Sequence, residues 1–421
     1  MKKGIVALII VVVLAVLITP GVIGHLAEQS VNDSLAWVDS ENGDVVITST
    51  EFERGWFTST GQHRIELLQG DLPVLVVNTH LDHGIIPVSS LSRENGSLLP
   101  ALGSAVSTLG LERSDGSIEP LPITIYTNIR LTGALQSRLI IEASGVDTAN
   151  ERIDWGGSEF LISSRPDDQS FGVTGTFSSL AVKSETETTI VGAVDVDLAL
   201  AATPYGYVVG AVSVALDSIS VIGAEQTMTA GPMSVKSNSS IDGDRFTGDL
   251  ALDIENTPMV LGGSGSMQLV ARLENADAAA FGKVVRNIDT LWTAYGYGYE
   301  FAELEESLLT LLASGMQLHF DQLDILSPFG QLTSRADASV EPSDNNDYTW
   351  DTAASLLDGS ADLSLPKALV DMATQSNSEM HAAIGLGYLR KRGEFYVMEA
   401  TVGDGVLTVN GAPMPIPLSG L

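Results

Sequence analysis

The segment His80-Leu81-Asp82-His83, with His63 upstream, is the one cluster of metal-ligand residue types in the sequence. Imidazole nitrogens and carboxylate oxygens are ligands that zinc accepts in proteins. Residues three apart on a strand face opposite sides, so His80 and His83 share a metal only on a helix or across a turn, which Gly84 permits. The alternative is that both are polar residues near a strand end. We therefore predict no metal site, with His80 and His83 as the residues that would form one.

The run Asp344-Asn345-Asn346-Asp347 carries oxygen ligands of the kind that Ca²⁺ prefers. Tyr348 occupies a position where a calcium loop of the EF-hand type needs Asp or Asn, and no Gly or distal Glu follows in register. A solvated loop is the expected structure, with a calcium site as the alternative.

Signatures of catalysis and of cofactor binding are missing from the sequence. It contains no Cys, which excludes thiolate catalysis, disulfides, Cys-ligated zinc and iron–sulfur clusters. No Gly-x-Ser-x-Gly elbow and no His-Glu-x-x-His occurs, and Gly262-Gly263-Ser264-Gly265 lacks the context of a phosphate-binding loop. We predict no catalytic residue and no cofactor.

The run Gly4–Ile23 contains twenty positions without a charge and follows Lys2 and Lys3. About 20 helical residues cross the hydrocarbon core of a bilayer, so the run predicts one transmembrane helix. Basic residues before it and acidic residues after it place the amino terminus in the cytoplasm and the bulk of the chain in a bacterial periplasm. We therefore expect a single-pass protein of the inner membrane. A cleaved signal peptide is the alternative, since it shares the basic start and the apolar middle.

The exported portion is strongly acidic. Against 21 basic residues the chain has 53 acidic ones, a net charge of −32. This charge disfavours binding of nucleic acid and polybasic contact with anionic lipid headgroups. Solubility is the simplest reason for the acidity, and a general affinity for divalent cations is the alternative.

Apolar and polar residues alternate with a period of two through most of the chain. In Asp249–Glu255, Leu250, Leu252 and Ile254 face one way, and residues 195–200 and 267–273 repeat the pattern. Such alternation predicts half-buried antiparallel strands, and pairs such as Asn410-Gly411 predict the turns between them. The predicted fold is mainly β (α+β), an extended antiparallel sheet or a curved sheet or roll.

Helical periodicity interrupts the strands at three places: Asp277–Ala294, Glu303–Ala313 and a shorter stretch beginning near Pro366. Each has an apolar stripe that should cover a sheet. The predicted organisation is a membrane anchor or signal segment at residues 1–25, a β-rich region at 26–274, a helical insertion at 275–316, and a second β-rich region at 317–421 with a short helix near 366–375.

Three short boxes resemble a known family. They are Arg54-Gly55-Trp56 within an aromatic run, His83-Gly84 with a Pro soon after, and Asn410-Gly411-Ala412-Pro413 near the end. In this order they resemble the YdgA-like family of Gram-negative envelope proteins, although two Ile residues separate Gly84 from its Pro. The resemblance implies an envelope location and a β-rich architecture. It implies no catalytic residue, because the family has no established reaction.

The box Arg54-Gly55-Trp56 also has a physical interpretation. Gly55 permits a bulge and Trp56 supplies a large apolar anchor. A structural box that fixes the first strands is the expected role, and a recognition surface is the alternative.

Three functions are compatible with these features. The first is a non-enzymatic structural or interaction protein of the envelope, presenting its sheet to another envelope component. The second is a carrier of lipids or other hydrophobic ligands, in which the apolar face of the sheet is only partly filled by helices. The third is an envelope hydrolase, which the missing signatures disfavour. A sheet fully covered by its own helices would count against the carrier.

Overall fold

A computed structural model describes residues 45–54, 58–67, 74–83, 101–113, 115–130, 132–147, 151–165, 169–223, 227–258, 263–293, 301–343, 349–375 and 377–414. The predicted membrane segment Gly4–Ile23 and the loop Asp344–Asp347 lie outside these residues. Among the helices that are described, none has the length and apolar character needed to cross a membrane.

The chain divides into two compact units. Unit 1 extends to Thr188 and includes Ala193–Ala199, and unit 2 comprises Thr189–Gly192 and the chain from Leu200 onward. Both are built mainly from antiparallel strands, which confirms the prediction of a mainly β fold. The four-part division predicted from the sequence remains a prediction.

The described part of unit 1 consists of strands and their connections. Its strands are β1 (Val45–Arg54), β2 (Thr58–Leu67), β3 (Val74–His83), β4 (Ala101–Glu112), β5 (Ile118–Arg130), β6 (Leu135–Ile141), β7 (Ser144–Asp147), β8 (Glu151–Trp155), β9 (Ser158–Arg165), β10 (Ser170–Phe177) and β11 (Leu180–Ser184). Antiparallel pairing joins β1-β2-β3-β4-β5-β6-β9-β10 in that order, and β7, β8 and β11 pair separately. Strands β12 (Glu187–Val191) and β13 (Val194–Ala202) contain residues of both units.

The inward side chains of unit 1 form a dry core. Leu139 and Ile129 are fully buried, and Ile141 and Val77 are 1% exposed. Side chains from seven of the strands meet in the main cluster, and all of its members among the described residues lie on strands. Two pairs of buried hydroxyl groups form hydrogen bonds within this core: Thr79 with Ser107, and Thr127 with Ser137.

Unit 2 contains one long run of antiparallel strands. Its strands are β14 (Val208–Leu216), β15 (Ile219–Gly223), β16 (Thr227–Ala230), β17 (Met233–Asp242), β18 (Arg245–Pro258), β19 (Ser264–Asp277), β20 (Met316–Ser327), β21 (Gly330–Val340), β22 (Leu357–Pro366), β23 (Arg390–Arg392), β24 (Phe395–Gly403), β25 (Val406–Val409) and β26 (Ala412–Met414). Pairing runs β14-β17-β18-β19-β20-β21-β22-β24-β25-β26, and β23 pairs with β24.

Five helices belong to the described part of unit 2. They are α1 (Ala278–Thr293), α2 (Phe301–Ala313), α3 (Trp350–Leu356), α4 (Lys367–Ala373) and α5 (Ser378–Gly385). Helices α1, α2 and α4 lie where the periodicity predicted them. Asp277 caps α1 by accepting a hydrogen bond from the Ala280 amide at 2.8 Å. Helices α3 and α5 were not predicted from the sequence.

Candidate functional site

The candidate metal ligands do not converge. Register pairs His63 with Val77 and His80 with Thr60, so His63 lies on the sheet face of the buried Val77 and Thr79, whereas His80 lies on the other face. Burial lowers the pKa of His63 below its usual 6.5. His80 Nε2 lies 3.4 Å from Asp82 Oδ1. His80 and His83 both belong to strand β3, which lacks the helix or turn that a shared metal would need. Within the described residues, no three potential ligands lie close enough to hold a metal ion.

The first two family boxes are described only in part. Arg54 ends β1, where its backbone pairs with Ser59 of β2, and His83 ends β3. Gly55, Trp56 and Gly84 lie outside the described residues, so the packing role of Trp56 remains a prediction.

The third box has a structural role at the last hairpin. Asn410 and Gly411 both have positive φ, at 50° and 80°, as a two-residue hairpin turn of type I′ requires. The Asn410 side chain accepts from the Glu399 amide at 3.0 Å and donates to the carbonyls of Gly387 and Tyr388 at 2.9 and 3.0 Å. It therefore ties the β25–β26 turn to the segment after α5. Pro413 lies in β26 and pairs with Thr408.

One spacing of a catalytic type occurs in the sequence and was not predicted. Ser364 and Lys367 have the Ser-x-x-Lys spacing of some acyl-transfer enzymes. In that role the lysine amine has to lose its proton at neutral pH. The hydrogen bond and charge of Asp371 instead raise the pKa of Lys367. The pair is therefore unsuited to general-base chemistry.

The feature of unit 2 that could bind a ligand is an apolar sheet face. Cross-strand pairing aligns its side chains in rows, such as Val235 with Leu252, Leu252 with Leu269, and Leu269 with Leu323. We call the following residues the open face: Val214, Met233, Val235, Leu250, Leu252, Ile254, Met267, Leu269, Ala271, Phe320, Leu323 and Ile325. None of them is charged. The row from Val214 of β14 to Leu323 crosses five strands, or about 19 Å at the usual strand spacing.

Helices cover this sheet at two places beside the open face. At one, α1 and α2 bury Phe246 and Ala276 against Val284 and Leu311. At the other, α4 and the segment after α5 bury Leu365 against Val370 and Leu389. Between them no open-face residue is fully buried. Val235 is 37% exposed, Leu250 39% and Phe320 38%, and the others are half-buried.

The opposite face of the same strands is polar. Gln268 donates to Asp253 at 3.2 Å, Arg272 pairs with Asp321 at 2.9 Å, and His319 Nδ1 lies 2.6 Å from Asp337. One side of this sheet is therefore charged and exposed to water. The other presents mainly apolar side chains between two helical covers, with the half-buried Ser237 and Ser334 among them. Chemically, the open face can bind hydrocarbon and offers no group for covalent or acid–base chemistry.

Comparison with known proteins gives a family and no function. A family model described as a bacterial protein of unknown function (DUF945) matches residues 1–417. Neither the curated proteins nor the solved structures gave a significant match. Since the family model covers nearly the whole chain, the chain belongs to this bacterial family of unknown function.

Proposed function

We propose that this chain is a non-enzymatic protein of the bacterial envelope that binds the acyl chains of lipids on the open face of unit 2. One observation carries the proposal. In the strands of both units, apolar and polar residues alternate. In unit 1 the apolar side chains of the main cluster are 0–5% exposed, whereas in unit 2 the open face is accessible to water. An apolar face of this extent is a typical location for a hydrophobic ligand.

The dimensions of the face suit a fatty acyl chain. A bilayer core of about 30 Å is spanned by two acyl chains end to end, so one chain needs about 15 Å. The row across five strands offers about 19 Å. Ten methylenes transferred from water onto the face would gain about 8 kcal/mol at 0.8 kcal/mol each, which sets an upper limit near micromolar affinity.

The location of the protein is part of the same proposal. The apolar run Gly4–Ile23 and the basic residues before it support a single-pass anchor in the inner membrane, with the bulk of the chain in the periplasm. The resemblance to the YdgA-like family supports an envelope role. An anchored carrier would keep its apolar face close to a source of lipid.

A structural or interaction role in the envelope is the second candidate. The buried core of unit 1 favours it for that unit, because the side chains of its main cluster are only 0–5% exposed. In that case another envelope protein would cover the open face.

Titration of the delipidated full chain with a fluorescent fatty acid tests acyl binding. Leu250→Asp places a carboxylate on the open face, and Ala251→Asp places the same group one residue along, on the opposite face. Because an unpaired charge against hydrocarbon costs at least about 2 kcal/mol, Leu250→Asp should weaken binding at least ~30-fold. Ala251→Asp should bind as the parent does. No saturable binding by the parent, or equal losses in both variants, would overturn the proposal.

A further inference from the structure

The β23–β24 hairpin concentrates positive charge in an acidic protein. Arg390-Lys391-Arg392 is the only run of three consecutive basic residues in the sequence, whose net charge is −32. All three residues are exposed and form strand β23. Neither Arg390 nor Lys391 forms an ion pair with a carboxylate of the described residues, and Arg392 lies 3.7 Å from the exposed Glu399. The charge of this hairpin is therefore available to a partner.

Exposed apolar side chains accompany these cations. Phe395 is 42% exposed and pairs directly with Arg392 across the hairpin. Leu326, at the same end of the sheet, is 52% exposed. Phe395 also pairs with Pro366, where β22 ends and the helical cover of α4 begins. Cations beside exposed large apolar groups fit a lipid interface, in which the charges meet headgroups and the apolar groups enter the acyl boundary.

We propose that the β23–β24 hairpin docks on the surface of an anionic lipid bilayer through Arg390, Lys391, Arg392 and Phe395, whose three positive charges exceed the one negative charge of Glu394 in the turn. This surface does not depend on acyl binding by the open face, because the two use different residues. It would bring the helical cover of α4 and α5 against the membrane.

The acidity of the whole chain does not prevent such docking. At physiological salt, charges separated by more than about 8 Å are largely screened, so an exposed hairpin responds to local charge. The net charge led us to expect no polybasic lipid contact. The proposed docking depends instead on the local positive charge of residues 390–392.

The absence of Cys makes a direct test possible. Glu394→Cys introduces one thiol in the turn of the hairpin, and Asp244→Cys introduces one in the β17–β18 turn as a matched control. Each full-length variant is labelled with an environment-sensitive dye and titrated with vesicles of phosphatidylglycerol or of phosphatidylcholine.

We expect a saturable blue shift at position 394 with phosphatidylglycerol, a much weaker shift with phosphatidylcholine, and none at position 244. Replacing Arg390, Lys391 and Arg392 together by Gln should raise the lipid concentration needed about 100-fold, from the usual contribution of each basic residue near an anionic surface. Equal shifts at both positions, or an unchanged shift in the triple variant, would overturn the proposal.

The Phe395→Ser variant tests whether the partner is a lipid bilayer or an acidic protein. If the partner is a bilayer, loss of the Phe395 phenyl ring should weaken the dye response and make the remaining binding more dependent on salt concentration. An unchanged response would mean that the cations alone suffice, as for any polyanion, and would overturn the assignment to a bilayer. Because Phe395 is 42% exposed, the variant should fold, which a thermal melt verifies.

Discussion

Truncating one leucine in each unit distinguishes a covered apolar face from an open one. Leu139→Ala removes three carbon groups from a fully buried side chain, about 2.4 kcal/mol of transfer free energy at 0.8 kcal/mol each. The cavity left in a dry core raises the expected cost to about 4 kcal/mol. Leu250 is 39% exposed, so Leu250→Ala should forfeit only about 1.5 kcal/mol and leave no enclosed cavity.

Hydrogen exchange followed by mass spectrometry measures the loss of unfolding free energy in each unit separately, since a chain with two units need not unfold in one step. In the delipidated full chain, amides of β5 and β6 should exchange ~1000-fold faster in Leu139→Ala. Amides of β18 should exchange only about tenfold faster in Leu250→Ala. The two effects are independent, because each variant is compared with the parent in its own strands.

The result that would refute this reasoning is a cost for Leu250→Ala as large as that for Leu139→Ala. Such a cost would mean that the open face is covered in solution. It would remove the observation on which the proposed function rests.

Three further predictions concern stability. Asn410→Ala removes three side-chain hydrogen bonds, two to the segment after α5 and one to β24, and should lower the free energy of unfolding of unit 2 by about 1–3 kcal/mol, read from exchange in β24 and β25. Thr79→Val leaves the buried Ser107 hydroxyl without its partner and should cost about 1–3 kcal/mol, whereas adding Ser107→Ala should recover part of the loss, and a strictly additive double variant would contradict the pairing. Burial lowers the pKa of His63 below 6.5, so the unfolded chain takes up the proton more readily, and stability should fall as pH drops below about 6.5. In His63→Gln the thermal midpoint should change less between pH 8 and pH 5, and an identical pH dependence would contradict this assignment.

The local structure was largely predictable from the sequence. Alternation at Leu250, Leu252 and Ile254 depends on the two-residue period of a strand, which is a property of neighbouring residues. The same holds for the caps and turns, such as Asp277 before α1 and Asn410-Gly411 between the last two strands.

The candidate site was not predictable, because it depends on distant pairing. Alternation makes Leu139 and Leu250 look alike, and only the packing of the chain against itself leaves one fully buried and the other 39% exposed. Likewise, the placement of His63 and His80 on opposite faces follows from the β2–β3 register, which sequence spacing does not give. The contact of Asn410 with Gly387 and Tyr388 joins residues more than twenty positions apart.

Native mass spectrometry of the full chain, extracted gently from bacterial membranes, tests the proposal of an acyl-binding face most directly. The account predicts a bound mass that corresponds to lipid, that exchanges with added lipid, and that is absent from Leu250→Asp while Ala251→Asp retains it. A bare protein mass with no uptake of added lipid would contradict the account.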